Sequence, residues 1–369
     1  MRIFVDHQAF SLQSRGGITT VFFELIRHLN AQPDISTDVC LGFSSTSANF
    51  EEIISPRSRV IHLGRALVQQ RTLNYLANDA LSGAIAPFLG KYDIYHSTLY
   101  RFLPTIRAKF RVATHHDCVP EVHPELFPDS SRIIRFKRRM FREADLILCV
   151  SAASRSDLLR FYDVIPEKAV VVHNGISQMR RQPQGEAELR AAISGDFLLY
   201  VGARYSYKNF DGLLRTYSGS ELKQSYSLLV LGGGSPTAKE TDLISKLDLS
   251  GKIKFVPAAS DALLAEAYAQ SKLLVYPSLY EGFGMPPLEA ASAGCVSLVA
   301  ANPATLEICR DGVFYFQLAD REDFSRMLWK AVTDESERTV RVERATRLLR
   351  DYTWENCSRN TLAAYRELQ

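Results

Sequence analysis

The feature that most constrains this chain is an alternation of strand and helix patterns that runs from its first residues, breaks once, and starts again. Short apolar runs separated by helical stretches call for parallel strands, because a strand that returns in the same direction needs a crossover, usually a helix. The first series starts at Arg2-Ile3-Phe4-Val5. It continues through a helix from Gly17 to about Asn30, a long helical pattern from about Arg65 to Leu89, strands at 93–96, 111–115 and 145–150, a helix at 152–161 and a strand at 169–173. Asn174-Gly175 breaks it, and Ser177 to Glu186 is polar with Pro183 and Gly185, the composition of a linker. A second series opens at Phe197–Val201 and runs through strands at 227–231, 253–256, 273–276 and 296–299. Two doubly wound, Rossmann-like α/β domains are therefore expected, at 1–172 and 191–352, joined by a linker at 173–190 and followed by a closing helix within 353–369 with Thr353 as its N-cap. With 369 residues the chain is long enough to give each domain its own core. Ser11 to Ser14 and residues 44–56 read as polar loops.

Composition narrows the function classes. A hydrophobic content of 46% and a charged content of 23% are those of an ordinary globular protein. No apolar run approaches the roughly 18–20 residues that span a membrane, and the N-terminus lacks a signal pattern, so a cytoplasmic protein is expected. The cysteines at 40, 118, 149, 295, 309 and 357 form no Cys-x-x-Cys pair, which argues against zinc and against a disulfide framework. The net charge of +3 is uneven: residues 1–172 carry 21 Lys+Arg against 17 Asp+Glu. The excess gathers in Ser131 to Glu143, where Arg132, Arg135, Arg139 and Arg142 share one helical face and Lys137 and Arg138 add to the cluster. That face suits water or an anionic membrane. Nothing like a base-reading module accompanies it, so nucleic acid is not an expected partner.

Chemistry concentrates in Ser278-Leu-Tyr-Glu-Gly-Phe-Gly-Met-Pro-Pro-Leu-Glu289. An apolar strand, Leu273–Tyr276, ends at Pro277-Ser278. Gly282 and Gly284 then let the backbone approach a ligand, and Pro286-Pro287 open a helix that Gly294 ends. A helix N-terminus suits phosphate, and the carboxylates of Glu281 and Glu289, with the latter in the first helical turn, suit hydroxyls. Gly16-Gly17 precede a helix in the same manner. Arg204 and Lys208 follow a strand end four residues apart, placed to hold a diphosphate. Thr114-His115-His116-Asp117 closes a strand where ligands of open α/β sheets gather. Gly232-Gly233-Gly234 lacks the Gly-x-Gly-x-x-Gly context, which excludes a nicotinamide site.

The string from Ser278 to Glu289, with seven residues between its glutamates, closely resembles the signature of glycosyltransferase family 4, retaining enzymes of the GT-B fold. Gly16-Gly17-Ile18, Asn174-Gly175, Gly202-Ala203-Arg204 with Lys208-Asn209, and the loop Asn302 to Glu307 resemble further family elements, whereas Gly294-Cys295-Val296 departs from the usual Gly-Thr-Pro. Thr114-x-His116-Asp117 followed by Pro120-Glu121-Val122-His123-Pro124 resembles a subgroup of bacterial mannosyltransferases. The resemblance implies a cleft between two Rossmann-like domains, a C-terminal helix crossing back to the first, and an acceptor site in the first domain. It also implies a retaining hexosyl transfer from a nucleotide-diphosphate sugar, GDP-mannose by the subgroup, to a saccharide acceptor of O-antigen or capsule type, often lipid-linked. By it, Arg204 and Lys208 neutralise the leaving diphosphate, Glu281 holds sugar hydroxyls and Glu289 the ribose. Gly16, Gly17, Gly282, Phe283 and Gly284 line the donor, and His116 lies beside the donor sugar with Asp117 in support. No metal or further cofactor is expected, and no Asp-x-Asp triplet occurs. A UDP-sugar transferase, a GT-B nucleotide-sugar epimerase and a non-catalytic sugar-binding subunit remain open alternatives.

Overall fold

In the computed structural model, which describes residues 1–12, 16–44, 49–64, 71–318 and 320–369, the two alternations become two wholly parallel sheets. Two units contain them, residues 1–175 with 352–369, and residues 176–351. In the first, β1 (Arg2–Val5), β2 (Ser36–Phe43), β3 (Val60–Gly64), β4 (Lys91–Ser97), β5 (Arg107–His115), β6 (Leu146–Cys149) and β7 (Ala169–Val171) lie in the order β3-β2-β1-β4-β5-β6-β7. In the second, β8 (Phe197–Val201), β9 (Ser227–Leu231), β10 (Ile253–Val256), β11 (Leu273–Tyr276), β12 (Ser297–Ala300) and β13 (Phe314–Phe316) lie in the order β10-β9-β8-β11-β12-β13. Helices cover both faces, so the central strands are buried throughout and read as continuous apolar runs, as in Leu273-Leu274-Val275-Tyr276.

Three strands, β2, β3 and β13, are absent from the sequence reading. In β2 the polar Asp38 is buried because other parts of the chain supply partners: Arg59 and Tyr92 donate to its carboxylate, while Asn30 Oδ1 and Ser58 Oγ accept from the neighbouring Thr37 N–H. The first expected loop is partly a short helix, Gln8–Leu12; residues 13–14 of that loop, Arg15, residues 45–48 of the second and the expected helix start at 65–70 lie outside the described residues. The expected linker is not polar coil to its end. Pro183–Ala192 is a helix with Pro183 in its first turn and Leu189 buried in the second unit's core, and Gly185 is small because a side chain there would strike the Ala262 carbonyl at 2.2 Å.

Thr353 caps the helix Trp354–Glu367, accepting from the Asn356 N–H at 3.1 Å. This helix belongs to the first unit, where it packs on the helix Gly17–Asn30 and its Tyr365 hydroxyl meets His96 Nδ1 at 2.6 Å. Gly175 makes room for it, since a Cβ would lie 2.5 Å from the Trp354 backbone nitrogen and ring. Gly175→Ala is therefore expected to destabilise the first unit by about 3 kcal/mol, read as a lowered midpoint in urea unfolding. All six cysteines are buried free thiols. No helix among the described residues is long and apolar enough to cross a membrane.

Candidate active site

The strand order of the second sheet reverses between β8 and β11, and loops leaving the carboxyl ends of two such strands diverge around a crevice. The β8 loop makes one tight turn, Ser206–Lys208, and Asn209 ends it with φ 53. The β11 loop is tied to it by the Leu279 N–H, which donates to the Tyr207 carbonyl at 2.8 Å. That bond sets Lys208 beside Glu281, with Nζ to Oε1 at 2.6 Å. The Tyr276 hydroxyl donates to the same oxygen at 2.5 Å, and the Tyr207 and Tyr276 rings lie 5.1 and 5.6 Å from Nζ. Lysine and glutamate side chains are 18% and 12% exposed, reachable yet largely stripped of water. Both bonds fall on Oε1, which leaves Oε2 for a ligand hydroxyl.

Arg204 is placed differently. Its side chain is 3% exposed, and its donors go to Glu240 Oε1 at 2.6 Å and to the carbonyls of Gly232, Gly234 and Ser235 at 2.9, 3.1 and 2.9 Å. The two cations thus hold different partners within the protein. Lys208 faces the crevice, and Arg204 shapes the three-glycine loop after β9.

Gly284, at φ 88, precedes the helix Met285–Ser292. Pro286 and Pro287 remove two of the four N–H groups that a helix start leaves over, so Gly284 and Met285 are the donors at this end. Because the helix begins at Met285, Glu289 is its fifth residue and lies in the second turn, not the first. It is no dipole cap. Half-buried, it accepts from the Tyr268 hydroxyl at 3.0 Å, and burial pushes its carboxyl up to about 7 despite that bond. Gly282 and Phe283 are buried between the two carboxylates.

In the first unit the reversal lies between β1 and β4. Asp6, fully buried just after β1, accepts from Thr98 Oγ1 at 2.5 Å, Gln8 Nε2 at 2.7 Å and the Tyr95 hydroxyl at 2.8 Å. Gly16 and Gly17 begin the next helix, and a side chain at 17 would meet nothing within 4 Å among the described residues. At the end of β5, His115 is buried with Nε2 3.5 Å from the Cys118 sulfur, while His116, just beyond, is half-buried. Burial holds His116 down to about 4 and therefore neutral, against the pull of Asp117. Its Nε2 is buried with no hydrogen-bond partner among the described residues. The Asp117 carboxylate caps the following turn, accepting from Val119 N–H at 3.2 Å. On the helix Ser131–Glu143, Arg132, Arg135, Arg138, Arg139 and Arg142 are exposed, with Arg139 paired to Glu143 at 2.6 Å, but Lys137 points inward.

Comparison with known proteins agrees with this geometry. The family described as "Glycosyltransferase Family 4" matches residues 15–180, and "Glycosyl transferases group 1" matches residues 187–348. The O-antigen chain mannosyltransferase B of Escherichia coli is 30% identical over 289 residues, covering 74% of each chain. The chain belongs to glycosyltransferase family 4. A second member, the O-antigen chain mannosyltransferase RfbU of Salmonella typhimurium, is 24% identical over 265 residues, 68% of this chain and 72% of that one. The GT-B fold is shared with the sucrose-phosphate synthase of Thermosynechococcus elongatus, at a TM-score of 0.78 and 16% identity, covering 100% of this chain and 98% of that one.

This family 4 hexosyltransferase thus sets Lys208 against Glu281, beside Gly282, Phe283 and Gly284, with Glu289 on the helix that follows and Arg204 bonded to Glu240 and the three-glycine loop. Sequence reasoning passed over Tyr276, Tyr268 and Asp6, and counted Lys137 with the basic cluster rather than as a buried residue. The two tyrosines sit in runs that read as apolar core, and nothing local marks their hydroxyls as partners of glutamates 5 and 21 residues on.

Proposed function

We propose that this transferase moves mannose from GDP-mannose, with retention of configuration, onto a saccharide acceptor of a cell-surface polysaccharide. The observation that carries the reading is the Lys208–Glu281–Tyr276 cluster at the reversal of the second sheet, a cation and a carboxylate held 2.6 Å apart in a largely dry pocket of loops. A diphosphate that approaches Lys208 exchanges one anionic partner of the amine for another and frees Glu281 for sugar hydroxyls. Charge that develops on the leaving diphosphate then meets a preorganised cation. Arg204 supports this by fixing the glycine loop, Glu289 takes the ribose hydroxyls, and Gly282 to Gly284 let the donor lie against backbone. In the first unit, Gly16-Gly17, His116 and Asp117 serve the reacting sugar and acceptor. The mannosyl donor is supported by the names of the relatives, O-antigen chain mannosyltransferases. The row of exposed arginines suits the anionic surface where a lipid-linked acceptor would reside, at about 1 kcal/mol per basic residue.

Calorimetric titration of the purified chain with GDP, UDP and ADP, each with and without EDTA, tests this reading. GDP is expected to bind at least about ten-fold more tightly than UDP or ADP, with EDTA changing nothing. Preference for UDP overturns the mannosyl donor. Loss of binding in EDTA overturns the metal-free account, in which Lys208 supplies the positive charge.

A further inference from the structure

The helix Ser131–Glu143 carries five exposed arginines and one buried lysine, and the lysine is the residue that points toward chemistry. Lys137 Nζ pairs with Glu121 Oε1 at 2.7 Å, with side chains only 5% and 4% exposed, and donates to the Asp117 carbonyl at 2.9 Å. Tyr162 donates its hydroxyl to the same Glu121 oxygen, and its ring lies 5.6 Å from the amine. A buried ion pair is weak evidence for stability, since apolar residues of similar volume commonly serve as well. This one even leaves Glu121 Oε2 without a partner among the described residues. Its third bond is informative, because Asp117 directly follows His116.

The His116–Asp117 turn is held from two sides. On one, the His116 ring hydrogen-bonds the Thr98 backbone. Thr98 is in turn fixed by Asp6 through both its hydroxyl and its N–H, at 2.5 and 3.3 Å. Among the described residues Nε2 has no partner, so Nδ1 is the ring nitrogen held by that bond, which favours the Nδ1–H tautomer. On the other side stands Lys137. We infer that Lys137, anchored by Glu121 and Tyr162, is a positioning residue that holds the His116–Asp117 turn and, through it, the orientation and tautomer of the His116 ring. This rests on the reading that His116 serves the transfer. The charged and titratable groups around the ring are Asp117, Lys137, His96 and His115. Lys137 opposes the pull of Asp117, so its removal raises the pKa of His116.

Histidine side-chain nitrogen NMR of the full chain tests this, with the His116 signals assigned by their loss in His116→Gln. Wild type is expected to show a neutral Nδ1–H ring throughout the range from about pH 5.5 to 8. Lys137→Met is expected to mix the tautomers and to titrate at higher pH, with kcat for GDP-mannose turnover lowered roughly ten- to a hundred-fold and GDP affinity unchanged. If Lys137→Met does not fold, Lys137→Arg and Tyr162→Phe, which disturb the anchor without deleting it, are expected to move the same signals less far. A folded variant whose His116 tautomer and titration match wild type overturns the proposal. Failure of wild type to bind GDP would overturn the transferase reading instead, and the histidine spectra would still decide the role of Lys137.

Discussion

Lys208→Met is expected to lower kcat at least about a hundred-fold at saturating donor while the chain keeps its fold, the scale on which loss of one charge-stabilising group at a developing oxyanion is felt. Lys208 Nζ is the cation of the β8 and β11 loops that is not spent on the protein frame, its one side-chain ion pair being to Glu281 at 2.6 Å. Methionine keeps the length and the contacts with Tyr207 and Tyr276 while deleting the charge. Glu281 loses a partner but retains the Tyr276 hydroxyl at 2.5 Å, so the pocket does not collapse. Steady-state turnover of GDP-mannose, run beside a thermal melt, separates the two effects. A variant that melts like wild type and turns over within about three-fold of it would remove Lys208 from the chemistry. Arg204 offers the contrast: Arg204→Lys cannot restore a fork that serves Glu240 and three carbonyls together, so its failure reads as a distorted glycine loop.

That contrast shows what a sequence can and cannot disclose about such a site. Arg204 and Lys208 look equivalent on paper, two cations four residues apart after a strand. What separates them is Glu240, 36 residues from Arg204, and Glu281, 73 residues from Lys208, brought in by different crossovers of the sheet. Strand periodicity predicted the doubly wound layout because buried parallel strands are written in consecutive apolar residues. It missed β2, whose Asp38 is buried only because distant Arg59 and Tyr92 satisfy its carboxylate. The helix Pro183–Ala192 was hidden by its own start signal, since Pro183 reads equally as a linker residue and as the first turn of a helix. Lys137 was counted with its arginine neighbours because helical spacing gives a direction, not a partner. Glu121, the buried partner of its amine, lies 16 residues earlier in the chain, outside the helix that carries Lys137.

Glu289 carries the other large expected effect, and here pH is the lever. Burial raises its carboxyl to about 7, with Asp261 adding to the rise and the Tyr268 hydroxyl opposing it. A carboxylate that accepts two ribose hydroxyls must be ionised, so the nucleotide selects the deprotonated protein. Below the pKa each pH unit costs a factor of ten in affinity, and GDP is expected to bind about ten-fold more weakly at pH 6 than at pH 8. The terminal phosphate of GDP titrates as well. Glu289→Gln, measured over the same range, carries that contribution alone and gives the baseline to subtract. Folding supplies an independent check with the opposite sign. A carboxyl whose folded pKa lies above its ordinary value of 4.5 favours the fold while protonated, and that contribution is lost as pH rises through 7. Wild type should therefore lose melting temperature relative to Glu289→Gln between pH 5 and 8, over the same interval in which its hold on GDP tightens. Parallel melting curves for the two proteins would leave Glu289 an ordinary solvated carboxylate, and the ribose contact would have to be sought elsewhere on the helix Met285–Ser292.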